Sequence, residues 1–314
     1  MDTILYLGRL TFALILGMVL ARFFVNRKFA RMISVAQTIV VWALLFFMGV
    51  NTGNIEGIVS KLGTIGFSAL ACTLCGVLGT ICISFFACKI FNRNAGEQPI
   101  AIAPRKEGSL VRRIWDIVKE PLFLVGIVLS GMFLRLATPL FNWFHSSLIS
   151  YLLYAMLAFV GMGLVFQNTN FKGMFSHKEL LLLPVFTIVG TYLGALFVPL
   201  LTSFTIKESL GIVSGFGWYS LSGVLITDLG FPVLGSVSFI SNLLRESLSF
   251  FLIPFFGRLG KQFYYPAVCT AGATSMDVTL PLLSTHFGSS TVVSNIYHGV
   301  IMSLVAPLLI PLFF

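Results

Sequence analysis

The sequence predicts an all-α polytopic membrane protein of about eight transmembrane helices plus two broken or re-entrant segments, arranged as inverted internal repeats. Three observations carry this. The chain is 57% hydrophobic and 10% charged, where soluble domains run at about 25% charged. Its apolar residues fall into long runs separated by short polar breaks. Slid against itself, the chain also matches at two constant offsets.

The apolar runs cover approximately 4–24, 35–50, 62–88, 120–137, 148–166, 180–201, 209–227, 232–256, 266–285 and 290–314. The first is expected to be a retained span. Arg9 lies early in it and no small-residue cleavage site follows a short core, as a signal peptide would require. Basic residues set the direction of the spans. The break 22–34 carries Arg22, Arg27, Lys28 and Arg31, and 89–119 carries Lys89, Arg93, Arg105, Lys106, Arg112, Arg113 and Lys119. Both breaks are expected on the cytoplasmic side, and those around Lys61 and Lys207 outside. A full span at 209–227 would put Arg258 and Lys261 outside. A re-entrant hairpin there returns them to the cytoplasm, and its composition suits that role: Gly211, Ser214, Gly215, Gly217, Ser220, Ser222 and Gly223 make a poor lipid-facing helix. Segment 266–285 has the same character. Ten full spans is the alternative. Both termini are expected outside.

At an offset of 114, Gly17, Met18 and Leu20 fall on Gly131, Met132 and Leu134; Met48 and Gly49 on Met162 and Gly163; Asn54 on Asn168; Gly76 on Gly190. Residues 1–202 then form an N-terminal membrane region of two inverted three-helix repeats, about 1–90 and 118–202, joined by a basic cytoplasmic loop. At an offset of 53, Ser222 falls on Ser275, Ser241 and Asn242 on Ser294 and Asn295, and Pro254 on Pro307. Residues 203–314 thus form a C-terminal membrane region of two broken-helix repeats. Inverted repeats with discontinuous helices are how many secondary transporters build a midplane site.

The net charge of +9 is spread over loops between apolar runs, which argues for membrane orientation and against nucleic acid. Cys72, Cys75, Cys82, Cys88 and Cys269 lie in or beside apolar runs and read as small hydrophobes. No metal and no cofactor is expected, and no enzyme activity. The number of assembling chains is left open, with a homo-oligomer allowed.

Nine of the eleven acidic residues lie in loops or near span ends, and two do not: Glu246 and Asp277. A carboxylate at membrane depth costs about 2.5–3.5 kcal/mol on insertion scales, so it faces a cavity or a partner. Both are read as a cation site, binding an ammonium group or exchanging a proton against it. The alternative is an internal ion pair, in which Arg245 reaches Asp277 or another element. The run Ser214–Gly223 offers free backbone amides and the hydroxyls of Ser220 and Ser222 to a substrate carboxylate, or simply packs helices closely. It is no nucleotide loop, since no Gly-Lys-Ser/Thr follows. Trp218 is placed to gate the site or to anchor at an interface. Asn242 and Asn295, at matching repeat positions, bind substrate or ions, or bridge helices. His298 reads as a helix-packing histidine.

The stretches Ser214–Gly223, Asn242–Glu246, Gly272–Pro281 and His298-Gly299 resemble the bacterial lysine exporter family, LysO. The resemblance is close over roughly 210–314 and loose before that. It implies eight spans with both termini outside, export of L-lysine or a similar cationic amino acid such as thialysine, and reliance on a pair of intramembrane acids at Glu246 and Asp277. Protons, or another coupling ion, would enter in exchange. Two rivals remain at this point: a sodium-coupled importer of a small organic solute, and an intramembrane aspartyl protease using Asp228 and Asp277.

Overall fold

The computed structural model describes residues 3–23, 27–91, 110–141, 143–166 and 178–314. Every regular element in them is helical: α1 (Thr3–Phe23), α2 (Arg27–Gly53), α3 (Ile58–Phe91), α4 (Leu110–Ala137), α5 (Ser147–Phe166), α6 (Lys178–Leu181), α7 (Leu183–Ala195), α8 (Ile206–Val213), α9 (Tyr219–Asp228), α10 (Pro232–Leu259), α11 (Tyr264–Ala271), α12 (Leu280–Phe287) and α13 (Val292–Leu309). Among the described residues, seven segments are long and apolar enough to cross a membrane, and α4 adds the shorter apolar stretch Pro121–Ala137. Bulky apolar side chains such as Phe12, Phe67, Phe86 and Tyr151 stand exposed along these helices, as hydrocarbon solvent permits and water does not. The protein is a multi-pass membrane protein.

Small residues decide how α1 to α5 and α7 pair, because without a hydrophobic drive inside lipid the backbones must approach closely to gain contact. A Cβ at Gly17 of α1 would overlap the Ala158 carbonyl of α5, and one at Gly161 of α5 would overlap the Leu14 carbonyl of α1. The pair α2–α4 behaves the same way: Gly131 lies against the Phe46 carbonyl and Gly49 against the Val128 carbonyl. In the pair α3–α7, Gly79 abuts the Gly190 carbonyl and Gly194 the Cys75 carbonyl. The contacts are thus reciprocal, α1 with α5 and α2 with α4, while α3 and α7 meet each other. One detail differs from the sequence offset. Gly163, matched there with Gly49, has open space around it, and Gly161 makes the equivalent close approach. Asn168 lies outside the described residues.

Gly79→Ala is expected to push α3 and α7 apart and to lower stability by about 1–3 kcal/mol, the usual cost of overpacking. Gly63→Ala, with nothing within 4 Å of its Cβ position, is the control. Thermal unfolding of the two purified variants in detergent checks this, and equal melting temperatures would refute it.

The last third departs from simple spans. Helix α8 opens with a capping box, Thr205 Oγ1 accepting from Glu208 N at 3.2 Å and Glu208 Oε2 from Thr205 N at 2.8 Å. The chain breaks after Val213 and resumes as α9. Tyr6 near the start of α1 donates to the Asp228 carboxylate at the end of α9, at 2.5 Å. Phe231 packs on Phe314 with ring centroids 5.1 Å apart, and Gly211 of α8 also lies against Phe314. Both ends of the α8–α9 hairpin therefore sit at one face of the molecule. Helix α10 crosses to the other face, where Gly257 meets His286 at the end of α12 and Cys88 at the end of α3 donates to Gln262 O at 2.6 Å. The α11–α12 hairpin enters and leaves there. The expected re-entrant segments are present, slightly longer than the sequence indicated.

Candidate functional site

The two hairpins meet tip to tip. Ala273 N donates to Phe216 O at 3.0 Å. This contact needs unusual backbone: Phe216 has φ 48°, Gly217 φ 93° and Gly272 φ 63°. A bulky residue at positive φ is strained, and such strain persists only where the surroundings over-determine it. Here Phe216 is fully buried, stacked obliquely on Tyr192 at 5.9 Å. The Asn242 side chain pins the same tip, its Oδ1 accepting from Gly217 N at 2.8 Å and its Nδ2 donating to Ile212 O at 3.1 Å and Ser222 Oγ at 3.1 Å. At the matching repeat position on α13, Asn295 O accepts from Ser275 Oγ of the second tip at 3.0 Å and Asn295 Oδ1 from Tyr264 at 2.8 Å. Asn242, Asn295 and Ser222 thus all have partners that hold hairpin tips. Ser220 is buried in the first turn of α9.

Beside the crossing lies a cavity of about 140 Å³. Trp218 and Asp277, one from each tip, line it together with Thr274, Gln37 of α2 and Ser303 of α13. Val160, Gly163 and Leu164 of α5 supply its apolar wall. The Asp277 side chain is exposed to this space, and its Oδ1 accepts from Val278 N at 2.6 Å. Such a volume is close to the ~150 Å³ of an engineered cavity that takes benzene.

The structure brings Trp218 and Asp277 together and leaves Glu246 aside. Glu246 is buried on α10, one turn beyond Asn242, and is not among the residues around the cavity. The hydrogen bonds of Arg245 do not reach Asp277; it donates to Thr191 Oγ1 and to the Cys269 and Thr270 carbonyls. His298 packs between Thr187 Oγ1 at 2.8 Å and Ser275 Oγ at 2.9 Å. Asp228 is held by Tyr6 and by Ser150 at one face of the molecule, away from the hairpin tip that carries Asp277, which removes the geometry an aspartyl protease would need. Sequence reasoning missed Gln37 and Ser303. Gln37 had a signal, as a lone amide inside the apolar run 35–50; Ser303, one small hydroxyl in an apolar stretch of α13, had none. Among the described residues no cluster of His, Cys, Asp or Glu could hold a metal ion, and all five cysteines are free thiols.

Comparison with known proteins adds the lineage. A family model described as lysine exporter LysO matches residues 11–103 and 122–314. The chain belongs to the LysO family. It is 31% identical over 274 residues to "Lysine exporter LysO" of Escherichia coli (strain K12), covering 87% of each chain. A Haemophilus influenzae (strain ATCC 51907 / DSM 11121 / KW20 / Rd) protein with the provisional name of lysine exporter is 32% identical over 194 residues, 60% of this chain and 93% of that one. No solved structure matches the chain significantly.

Proposed function

We propose that this protein is a secondary transporter that carries L-lysine, and close analogues such as thialysine, out of the bacterial cytoplasm in exchange for protons. The observation that carries the reading is one carboxylate, Asp277, exposed to a small cavity where two oppositely directed hairpins cross. An anionic group at membrane depth, facing such a cavity, is a site for an ammonium ion or a proton. Trp218 lines the same cavity, and an indole ring attracts a cation placed over its face. The backbone amides opening α9 beyond Trp218 suit the substrate carboxylate, since a helix N-terminus favours anions. Gln37 and Ser303 would read the remaining polar atoms. Glu246 lies outside the cavity and is assigned to proton transfer rather than to substrate contact.

The two hairpin tips meeting beside the cavity support alternating access. The reciprocal pairing of α1–α5 with α2–α4, and the parallel roles of Asn242 and Asn295, support two sets of inverted repeats, which give such a motion its symmetry. Charge supports an orientation: Arg22, Arg31, Lys89, Arg258 and Lys261 flank helix ends, and the positive-inside rule would put those ends in the cytoplasm and both termini outside.

Proteoliposomes loaded with lysine test this. Efflux is expected to speed up several-fold with an inward proton gradient and to ignore sodium. Efflux that is unchanged when pH gradient and voltage are both collapsed would remove the proton coupling. No efflux at all would remove lysine as the substrate, and sodium-driven uptake would restore the importer.

A further inference from the structure

Arg245 closes the inner end of the half-helix α11. It lies on α10 and is 4% exposed. Its Nη2 donates to Cys269 O at 2.9 Å, its Nε to Thr270 O at 3.2 Å and its Nη1 to Thr191 Oγ1 at 3.0 Å. Cys269 and Thr270 close the last turn of α11, which ends where Gly272 turns the chain into the tip. Last-turn carbonyls have no partner within their own helix and carry the negative end of its dipole. Thr191 Oγ1 shares a 2.8 Å hydrogen bond with Thr80 Oγ1, and Ser249 Oγ donates to the Thr270 carbonyl at 3.2 Å. Carbonyls of a half-helix end with hydroxyl oxygen beside them are a hard-oxygen cage of the kind that binds sodium in secondary transporters. In this chain the guanidinium fills it.

The location gives the cage a purpose. Its carbonyls belong to the hairpin that carries Asp277, its threonine to α7, and the Arg245 stem runs 3.9 Å from the Cβ position of Gly217 in the other tip. A fixed positive charge there holds the end of α11 in place against both the first hairpin and the α3–α7 pair.

We propose that Arg245 is a tethered cation occupying a monovalent-cation site at the end of α11, so that the transporter works without a free metal ion and reveals a cation-binding cage when the arginine is removed. This rests on the transport reading for its purpose, and on the cage geometry alone for its binding site. In choline medium, Arg245→Ala is expected to export lysine at least about tenfold more slowly than wild type, the scale of losing charged hydrogen bonds. Millimolar guanidinium, or sodium at higher concentration, restores several-fold of that loss. Arg245→Lys keeps most of the export in choline. The purified Arg245→Ala protein gains melting temperature, saturably, on adding guanidinium at constant ionic strength, and wild type does not.

The proposal is overturned if Arg245→Ala exports like wild type in choline, or if neither cation moves either readout of the folded variant. Should Arg245→Ala aggregate, Arg245→Gln is measured in its place; a yield of folded protein from either that guanidinium fails to raise also counts against the cage. If wild type moves no lysine, the transport reading fails, and the melting-temperature shift still decides the cation site.

Discussion

Asp277→Asn is expected to weaken lysine binding by roughly 10- to 150-fold, the range given by losing one charged hydrogen bond of about 1.5–3 kcal/mol. Asparagine keeps the oxygen that accepts from Val278 N at 2.6 Å, so the tip should hold its shape while its charge disappears. The cavity would then present an amide and the Trp218 ring to an ammonium ion that has left water. Glu246→Gln should behave differently. Its site is buried on α10 away from the cavity, so export should fall with little change in equilibrium affinity. Binding of labelled lysine to the purified variants separates the two. An Asp277→Asn protein with wild-type affinity would sink the assignment of the ammonium site. Matched losses of affinity in both variants would show that Glu246 also touches substrate.

Gly272→Ala should be the most damaging of the small substitutions. Gly272 combines φ 63° with a Cβ position that overlaps the Phe216 carbonyl, the same carbonyl that accepts the bond joining the two tips. Strain of about 1–3 kcal/mol adds to overpacking of about 1–3 kcal/mol, a total near 2–6 kcal/mol. Gly230→Ala isolates the first part, since Gly230 has φ 98° and nothing within 4 Å of its Cβ position. Thermal unfolding and export are measured on both. Gly272→Ala should lose most of its export and much of its stability, while Gly230→Ala keeps its export. Equal behaviour would mean that the crossing of the hairpins does not depend on this close approach.

Much of this architecture was legible beforehand because the bilayer imposes it locally. A run such as 62–88 must become a helix to satisfy its own backbone in hydrocarbon, and it does so within α3. The glycine- and serine-rich stretches 209–227 and 266–285 were recognisable as broken because their composition makes poor lipid-facing helix. Asp277 stood out because a carboxylate at that depth is costly. Gln37, Ser303 and the threonines of α7 could not be ranked in the same way. Thr187 and Thr191 look like ordinary small residues of an apolar helix, and they matter only because His298 and Arg245 come from α13 and α10 to meet them.

By itself, then, the sequence determined that this chain lives in a membrane, where its spans and breaks lie, and which carboxylates are out of place, since each of these follows from the cost of exposing polar groups to hydrocarbon. The tertiary structure alone decided which of those groups share a space. It paired α3 with α7 through glycine contacts, joined the tips at Phe216 and Ala273, put Asp277 and Trp218 on one cavity, and closed the end of α11 with Arg245. Those pairings depend on shape complementarity between segments as far apart in sequence as Gln37 and Ser303, and no local pattern encodes it.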